Sequence, residues 1–153
     1  MSITIEAPDE RMPSGESVFL AGGITDCRDW QQEVVRELTD TDLVIFNPRR
    51  SVWPSDPREV KQQIEWERKR LDAATLISFW FASETVCPIT LLELGYALGK
   101  SSGAVVGCHP EYSRRQDVEI QLNLTHPDSL MATSPTELSR MIRQYFGCEG
   151  QHD

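Results

Sequence analysis

Several things are scarce in this 153-residue chain, and each scarcity argues against a class of function. No apolar stretch approaches the roughly 20 residues that span a bilayer, so no membrane association is expected. The start, Met1-Ser2-Ile3-Thr4-Ile5-Glu6, has no basic segment leading into an apolar one. A signal peptide is therefore not expected, and the cytoplasm is the expected location. The four cysteines, Cys27, Cys87, Cys108 and Cys148, form no CxxC pair, and the three histidines show no metal-ligand spacing. Neither a metal nor another cofactor is expected, and the cysteines read as free thiols. Basic residues are also few: 15 Lys and Arg stand against 24 Asp and Glu, a net charge of −9. That balance argues against a nucleic-acid polymer as partner, but leaves room for a small anionic ligand at a local arginine cluster.

What is present suits one globular domain over residues 1–153, with 39% hydrophobic and 25% charged residues. Short continuous apolar runs alternate with helical spacing. Ser17-Val18-Phe19-Leu20-Ala21 runs into Gly22-Gly23; Leu43-Val44-Ile45-Phe46 is stopped by Asn47-Pro48; Thr75 to Phe81 and Ala104 to Gly107 follow. Each reads as a buried strand. Ser129 to Ala132 reads as a fifth strand. Between them lie helices carrying Trp30, Val34 and Leu38; Val60, Ile64 and Leu71; and Leu91, Leu94 and Leu98. A short helix follows around residues 117–124, and a last one carries Leu138, Met141, Ile142 and Tyr145. Asp56-Pro57-Arg58-Glu59 and Ser134-Pro135-Thr136-Glu137 are helix starts with a capping residue, Pro at the first helical position and Glu three after the cap. Residues 1–16, polar with two prolines, read as an irregular arm, and 147–153 as a frayed tail. The pattern predicts an α/β fold: a doubly wound, flavodoxin-like (Rossmann-like) parallel sheet of four to five strands in the order 2-1-3-4-5, with helices on both faces. Ligands of such sheets bind beyond the carboxyl ends of the strands, at the switch point.

That topology brings the Gly22-Gly23-Ile24 loop and the helix holding Glu93 to one crevice. Glu93 is an acid inside the apolar run Leu91-Leu92-Glu93-Leu94-Gly95-Tyr96-Ala97-Leu98. Buried, it needs compensating contacts and marks a functional position; turned outward, it is an ordinary solvent-stripe residue.

The segments Phe19-Leu20-Ala21-Gly22-Gly23-Ile24 and Glu93-Leu94-Gly95-Tyr96-Ala97-Leu98 resemble the nucleoside 2-deoxyribosyltransferase family. Asn47-Pro48-Arg49-Arg50, Gln63-Ile64-Glu65-Trp66-Glu67 and Cys87-Pro88-Ile89-Thr90 add to the likeness, which extends over residues 17–145. The resemblance implies cleavage or transfer at the N-glycosidic bond of a (deoxy)nucleoside or nucleoside monophosphate. Glu93 would attack the anomeric carbon and form a covalent glycosyl intermediate. It implies Tyr96 as a residue that orients Glu93, and a homodimer or larger homo-oligomer in which Gln121 or Asn123 completes a neighbour's site. Acids that the family carries are replaced here by Thr75 and Cys87. The proton donor is then one of Asp72, Glu84, Glu67 or Asp117, and the sequence does not choose among them.

Other positions carry two readings. Arg49 and Arg50 grip a 5′-phosphate or a carboxylate, or are solvated loop arginines. Arg114 and Asp117 lie on the ligand side after the fourth strand, or are plain helix polarity. One of Trp53, Trp66, Trp80 and Phe81 has room to stack on a base, while the rest fill the core. The alternative to an enzyme is a nucleotide-binding sensor or accessory module that kept the fold and lost the chemistry.

Overall fold

The structure, a computed structural model, describes residues 1–148. Its sheet has five parallel strands: β1 (Ile3–Glu6), β2 (Ser17–Gly22), β3 (Val44–Asn47), β4 (Leu76–Phe81) and β5 (Ala104–Cys108). Their order is β1-β3-β2-β4-β5. All of β3 and β4, and all of β2 except Gly22, is buried, as expected for strands covered on both sides. The helices are α1 (Trp30–Glu37), α2 (Pro57–Ala73), α3 (Pro88–Gly99), α4 (Arg115–Thr125) and α5 (Pro135–Phe146). Trp30, Val34, Leu138 and Ile142 bring α1 and α5 onto one face with Val18, Leu20 and Trp80. Trp66, Leu94, Ala97 and Val118 bring α2, α3 and α4 onto the other, against Phe19, Phe79 and Phe81. The chain moves one way from β2 to β3 through α1, and the other way through α2 and α3. The direction therefore reverses at β2 and β4, which sets the crevice there.

The four predicted central strands keep their expected order, but both ends of the sheet differ from the sequence reading. The supposed arm contains β1, paired with β3 from Ile3↔Val44 to Glu6↔Asn47. Ile5 is fully buried between partly exposed Thr4 and exposed Glu6, as in a half-covered edge strand, while Ile3, on the same face as Ile5, is 47% exposed where the strand begins. Pro8 and Pro13 lie beyond it. At the other edge the expected fifth strand shrinks to a single bridge, Gly107↔Ala132. Ala132 is the one buried residue of that run, Met131 packs partly against the core, and Leu130 is 82% exposed. Gly147 caps α5 with φ 66, and the remainder of the predicted tail, 149–153, lies outside the described residues.

Two helix faces are also rotated from expectation. In α3 the fully buried positions are Thr90, Leu94 and Ala97, while Leu91 and Leu98 are only partly covered. In α2 they are Gln63, Trp66, Arg70 and Leu71. The Arg70 guanidinium stacks on Trp66 at 4.0 Å and donates to the Asp9 carbonyl at 2.7 Å, which fastens the chain after β1 to α2. Val60 and Ile64 stay 42% and 60% exposed and face the crevice.

Candidate active site

The crevice is a cleft of about 450 Å³ above the carboxyl ends of β2 and β4. Gly22, Gly23 and Ile24 form its floor. Gly22 has to lack a side chain: a Cβ there would strike the Trp30 ring and lie 2.7 Å from the Trp80 carbonyl oxygen. The Gly23 carbonyl accepts hydrogen bonds from Trp30 Nε1 at 3.0 Å and Gln31 Nε2 at 3.3 Å. The missing side chains let the strand end lie close over α1, and the turn follows at Thr25-Asp26. The walls come from α2, α3 and the loop that leads into α2. Trp53, Val60, Ile64 and Ile89 make them apolar, and Gln63, Glu67, Thr90 and Glu93 supply the polar groups.

Glu93 points into the cleft. Its carboxyl is pushed up to about 8, first by burial and then by the charge of Glu67, with Arg68 opposing. The start of α3 does not offset this rise. Glu93 is the sixth residue of that helix, and a helix dipole acts mainly within the first turn. Glu67, on α2, is raised as well; burial causes this, and a hydrogen bond from Gln63 opposes it. Gln63 is 4% exposed, and its Nε2 donates to Glu67 at 2.9 Å and to the Pro48 carbonyl at 3.0 Å. Two carboxyls with raised pKa therefore share one pocket, one of them held by a buried amide.

The remaining sequence-predicted residues divide. Asn47, Arg49 and Arg50 line an adjoining depression of about 570 Å³ that shares Ile24, Thr25 and Trp53 with the cleft. Arg49 is a clamp: its guanidinium donates to Gln31 Oε1 and to the carbonyls of Ile24, Cys27 and Arg28, all at 3.1–3.2 Å. Those bonds fix the β2–α1 loop and leave the arginine little with which to grip a phosphate. Arg50 reaches only Gln63 Oε1, at 3.4 Å.

Asp72 is a correction. It lies near the end of α2, by the amino edge of the sheet, where it accepts from Lys100 Nζ at 2.7 Å and Tyr96 Oη at 2.5 Å. Those bonds hold its carboxyl below the usual range, so it neither reaches the cleft nor suits a proton donor. Tyr96, spent on Asp72 and stacked under Arg68 at 3.9 Å, does not orient Glu93. Thr75 also sits at the amino edge, where its Oγ1 accepts from the Ser17 amide; an acid there would not reach the cleft. Glu84 is exposed in the loop after β4 and is not part of the cleft lining.

Arg114 and Asp117 pair with each other at 3.1 Å in the open. Asp117 and Gln121 line a groove between α3 and α4, away from the cleft of their own chain. Of the four candidate proton donors, only Glu67 enters the cleft. Of the four tryptophans, Trp53 alone does so, at 47% exposure, while Trp30, Trp66 and Trp80 are core. Residues passed over in the sequence are Thr25, Asp26 and Thr85 in the two loops, and Thr90, buried one turn before Glu93. The i, i+3 spacing to Glu93 was the available signal for Thr90. Among the described residues no group of three or more His, Cys, Asp or Glu is arranged to hold a metal, and no helix is long and apolar enough to cross a membrane.

A family model described as "Nucleoside 2-deoxyribosyltransferase like" matches residues 15–112, a span that takes in β2, both cleft loops and Glu93. The crystal structure of a conserved protein from Enterococcus faecalis V583 superposes with a TM-score of 0.56 at 13% identity, covering 86% of this chain and 99% of that one; the likeness is one of fold. No curated protein matches the sequence.

Proposed function

The chain belongs to the nucleoside 2-deoxyribosyltransferase-like family, and from that premise we propose that its cleft cleaves, or transfers at, the N-glycosidic bond of a (deoxy)nucleoside or nucleoside monophosphate. The observation that carries this reading is the pair of carboxyls, Glu93 and Glu67, in one apolar-walled cleft over Gly22 and Gly23. Glycosidic cleavage with retention needs one ionised carboxylate and one proton donor. Like charges in a shared pocket resist double ionisation, so a pair that holds a single proton supplies both. Glu93, once ionised, attacks the anomeric carbon. The proton then resides on Glu67, which delivers it to the departing base and later draws one from the acceptor, a second base or water. The base stacks on Trp53, and the apolar wall keeps bulk water from the glycosyl ester. A second copy of the chain, bringing Gln121 or Asn123, completes the site in a homo-oligomer.

The experiment is to incubate the protein with deoxynucleosides and deoxynucleoside monophosphates, with and without a second base, and to follow base release. Trapping the glycosyl ester on the peptide that contains Glu93 supports the mechanism; wild-type turnover by Glu93→Ala refutes it. One observation favours a binding-only module as the second reading: at neutral pH the free Glu93 carboxyl is protonated, and a neutral acid is no nucleophile. Tight nucleotide binding without turnover, unchanged in Glu93→Gln, decides for that module.

A further inference from the structure

Gly23 is flanked by two sulfurs that the proposed chemistry does not use. A Cβ at Gly23 would lie 2.6 Å from Cys27 Sγ and 3.1 Å from Cys87 Sγ. The two thiols therefore converge on the space that a side chain at position 23 would fill. They come from different elements: Cys27 from the β2–α1 loop, Cys87 from the cap position of α3. Cys87 has φ 51, in the left-handed region that glycine or asparagine holds with less strain. Its side chain makes no capping bond to the helix it begins. Cys27 is partly exposed, and Cys87, though buried, belongs to the cleft lining, so a small solute reaches both.

We propose that Cys27 and Cys87 form an oxidation-sensitive dithiol whose closure to a disulfide ties the β2–α1 loop to the start of the helix that carries Glu93. With hydrogen peroxide as oxidant, the Cys27 thiolate attacks one peroxide oxygen and the O–O bond breaks. The released hydroxide takes up the proton that the thiol gave, leaving a sulfenic acid and one water. The Cys87 thiolate then attacks the sulfenic sulfur; the S–S bond forms, the S–O bond breaks, and the hydroxide leaves as a second water with the Cys87 proton. Two thiols are oxidised by two electrons in all, and one peroxide is reduced.

The surroundings make this a slow device. Burial raises both thiols, Cys27 to about 11, with Cys87, Glu84 and Asp26 adding to the Cys27 shift and Arg49 opposing it. The thiolate is scarce at neutral pH, so bridge formation accelerates roughly tenfold per pH unit toward that value. The bridge would pull Ile24 and Thr25, both of the cleft lining, toward α3 and slow base release. That loss of turnover rests on the nucleoside reading; the bridge itself does not.

The test treats the whole protein with hydrogen peroxide at pH 8, blocks remaining thiols with iodoacetamide, and analyses intact mass and peptides. The expected result is a loss of two hydrogens, a peptide pair joining Cys27 to Cys87, and full reversal by dithiothreitol. The oxidised form should melt roughly ten degrees higher than the reduced one. Cys27→Ser and Cys87→Ser should each abolish the linked peptide; if the buried Cys87 variant fails to fold, the more exposed Cys27 variant decides. Persistent alkylation of both thiols, oxygen addition at Cys87 without a bridge, or linkage only to Cys108 or Cys148 overturns the proposal.

Discussion

Replacing Glu93 with Gln tests what burial does to this carboxyl, and it does so through stability as well as activity. Glutamine matches glutamate in size but is never charged. Below pH 4.5, the ordinary value for a glutamate, the Glu93 carboxyl is neutral in the folded and unfolded chains alike, and the two proteins should be equally stable. Between 4.5 and about 8 the folded chain retains a proton that the unfolded chain has lost. Stability then falls by about 1.36 kcal/mol for each pH unit. Above pH 8 the accumulated loss reaches a ceiling of about 5 kcal/mol, a large share of the 5–15 kcal/mol that hold a typical domain together. Water that penetrates the cleft and solvates the anion lowers the figure. Glu93→Gln should therefore track the wild type near pH 4.5, gain on it steadily to pH 8, and keep a constant lead beyond. The assay is urea unfolding followed by tryptophan fluorescence across pH 4.5–9, helped by the burial of Trp30, Trp66 and Trp80. A lead that does not change with pH would mean that Glu93 titrates like a solvated acid, and the account of the cleft would fail with it.

Four further outcomes follow from the same geometry. Base release should fall as pH rises past about 8, where the pair gives up its last proton; in Glu67→Gln that fall should disappear while the maximum rate drops about 10²–10⁴-fold, as for a lost general acid. An unmoved profile would remove Glu67 from the site. Trp53→Ala should weaken nucleoside binding by about 1–3 kcal/mol, read as KM or Kd, with little change in Tm, because the ring is nearly half exposed. Arg49→Ala should lower stability by about 2–3 kcal/mol, since three loop carbonyls lose a charged donor, whereas Asp72→Asn should leave turnover within about twofold because its pairing with Lys100 is a surface ion pair.

The parts of this protein that were legible in the sequence are those decided by local composition. Val18 to Ala21 and Leu76 to Phe81 are continuous apolar runs because both of their faces are covered, and that property alone announces a central parallel strand. β1 was missed because an edge strand needs only one buried side chain, here Ile5, and one isoleucine cannot be told from a polar arm. The same limit governs the site. Glu93 stands out in sequence because an acid in an apolar helix is anomalous by itself. Its neighbour does so less: Glu67 is one of four candidate acids, set in a charged helix, until α2 packs beside α3 and turns Gln63 and Glu67 inward. Arg49 shows the reverse error: an arginine just past a strand end fits a phosphate grip and a loop clamp equally well. Which one it is depends on where the carbonyls of Ile24, Cys27 and Arg28 lie, 21–25 residues away in sequence. Chemistry that rests on one residue can be read from the chain. Chemistry that rests on a pair is created by packing, and the Glu93–Glu67 pair is of that kind: burial raises both carboxyls, and neither neighbourhood in the sequence predicts the other.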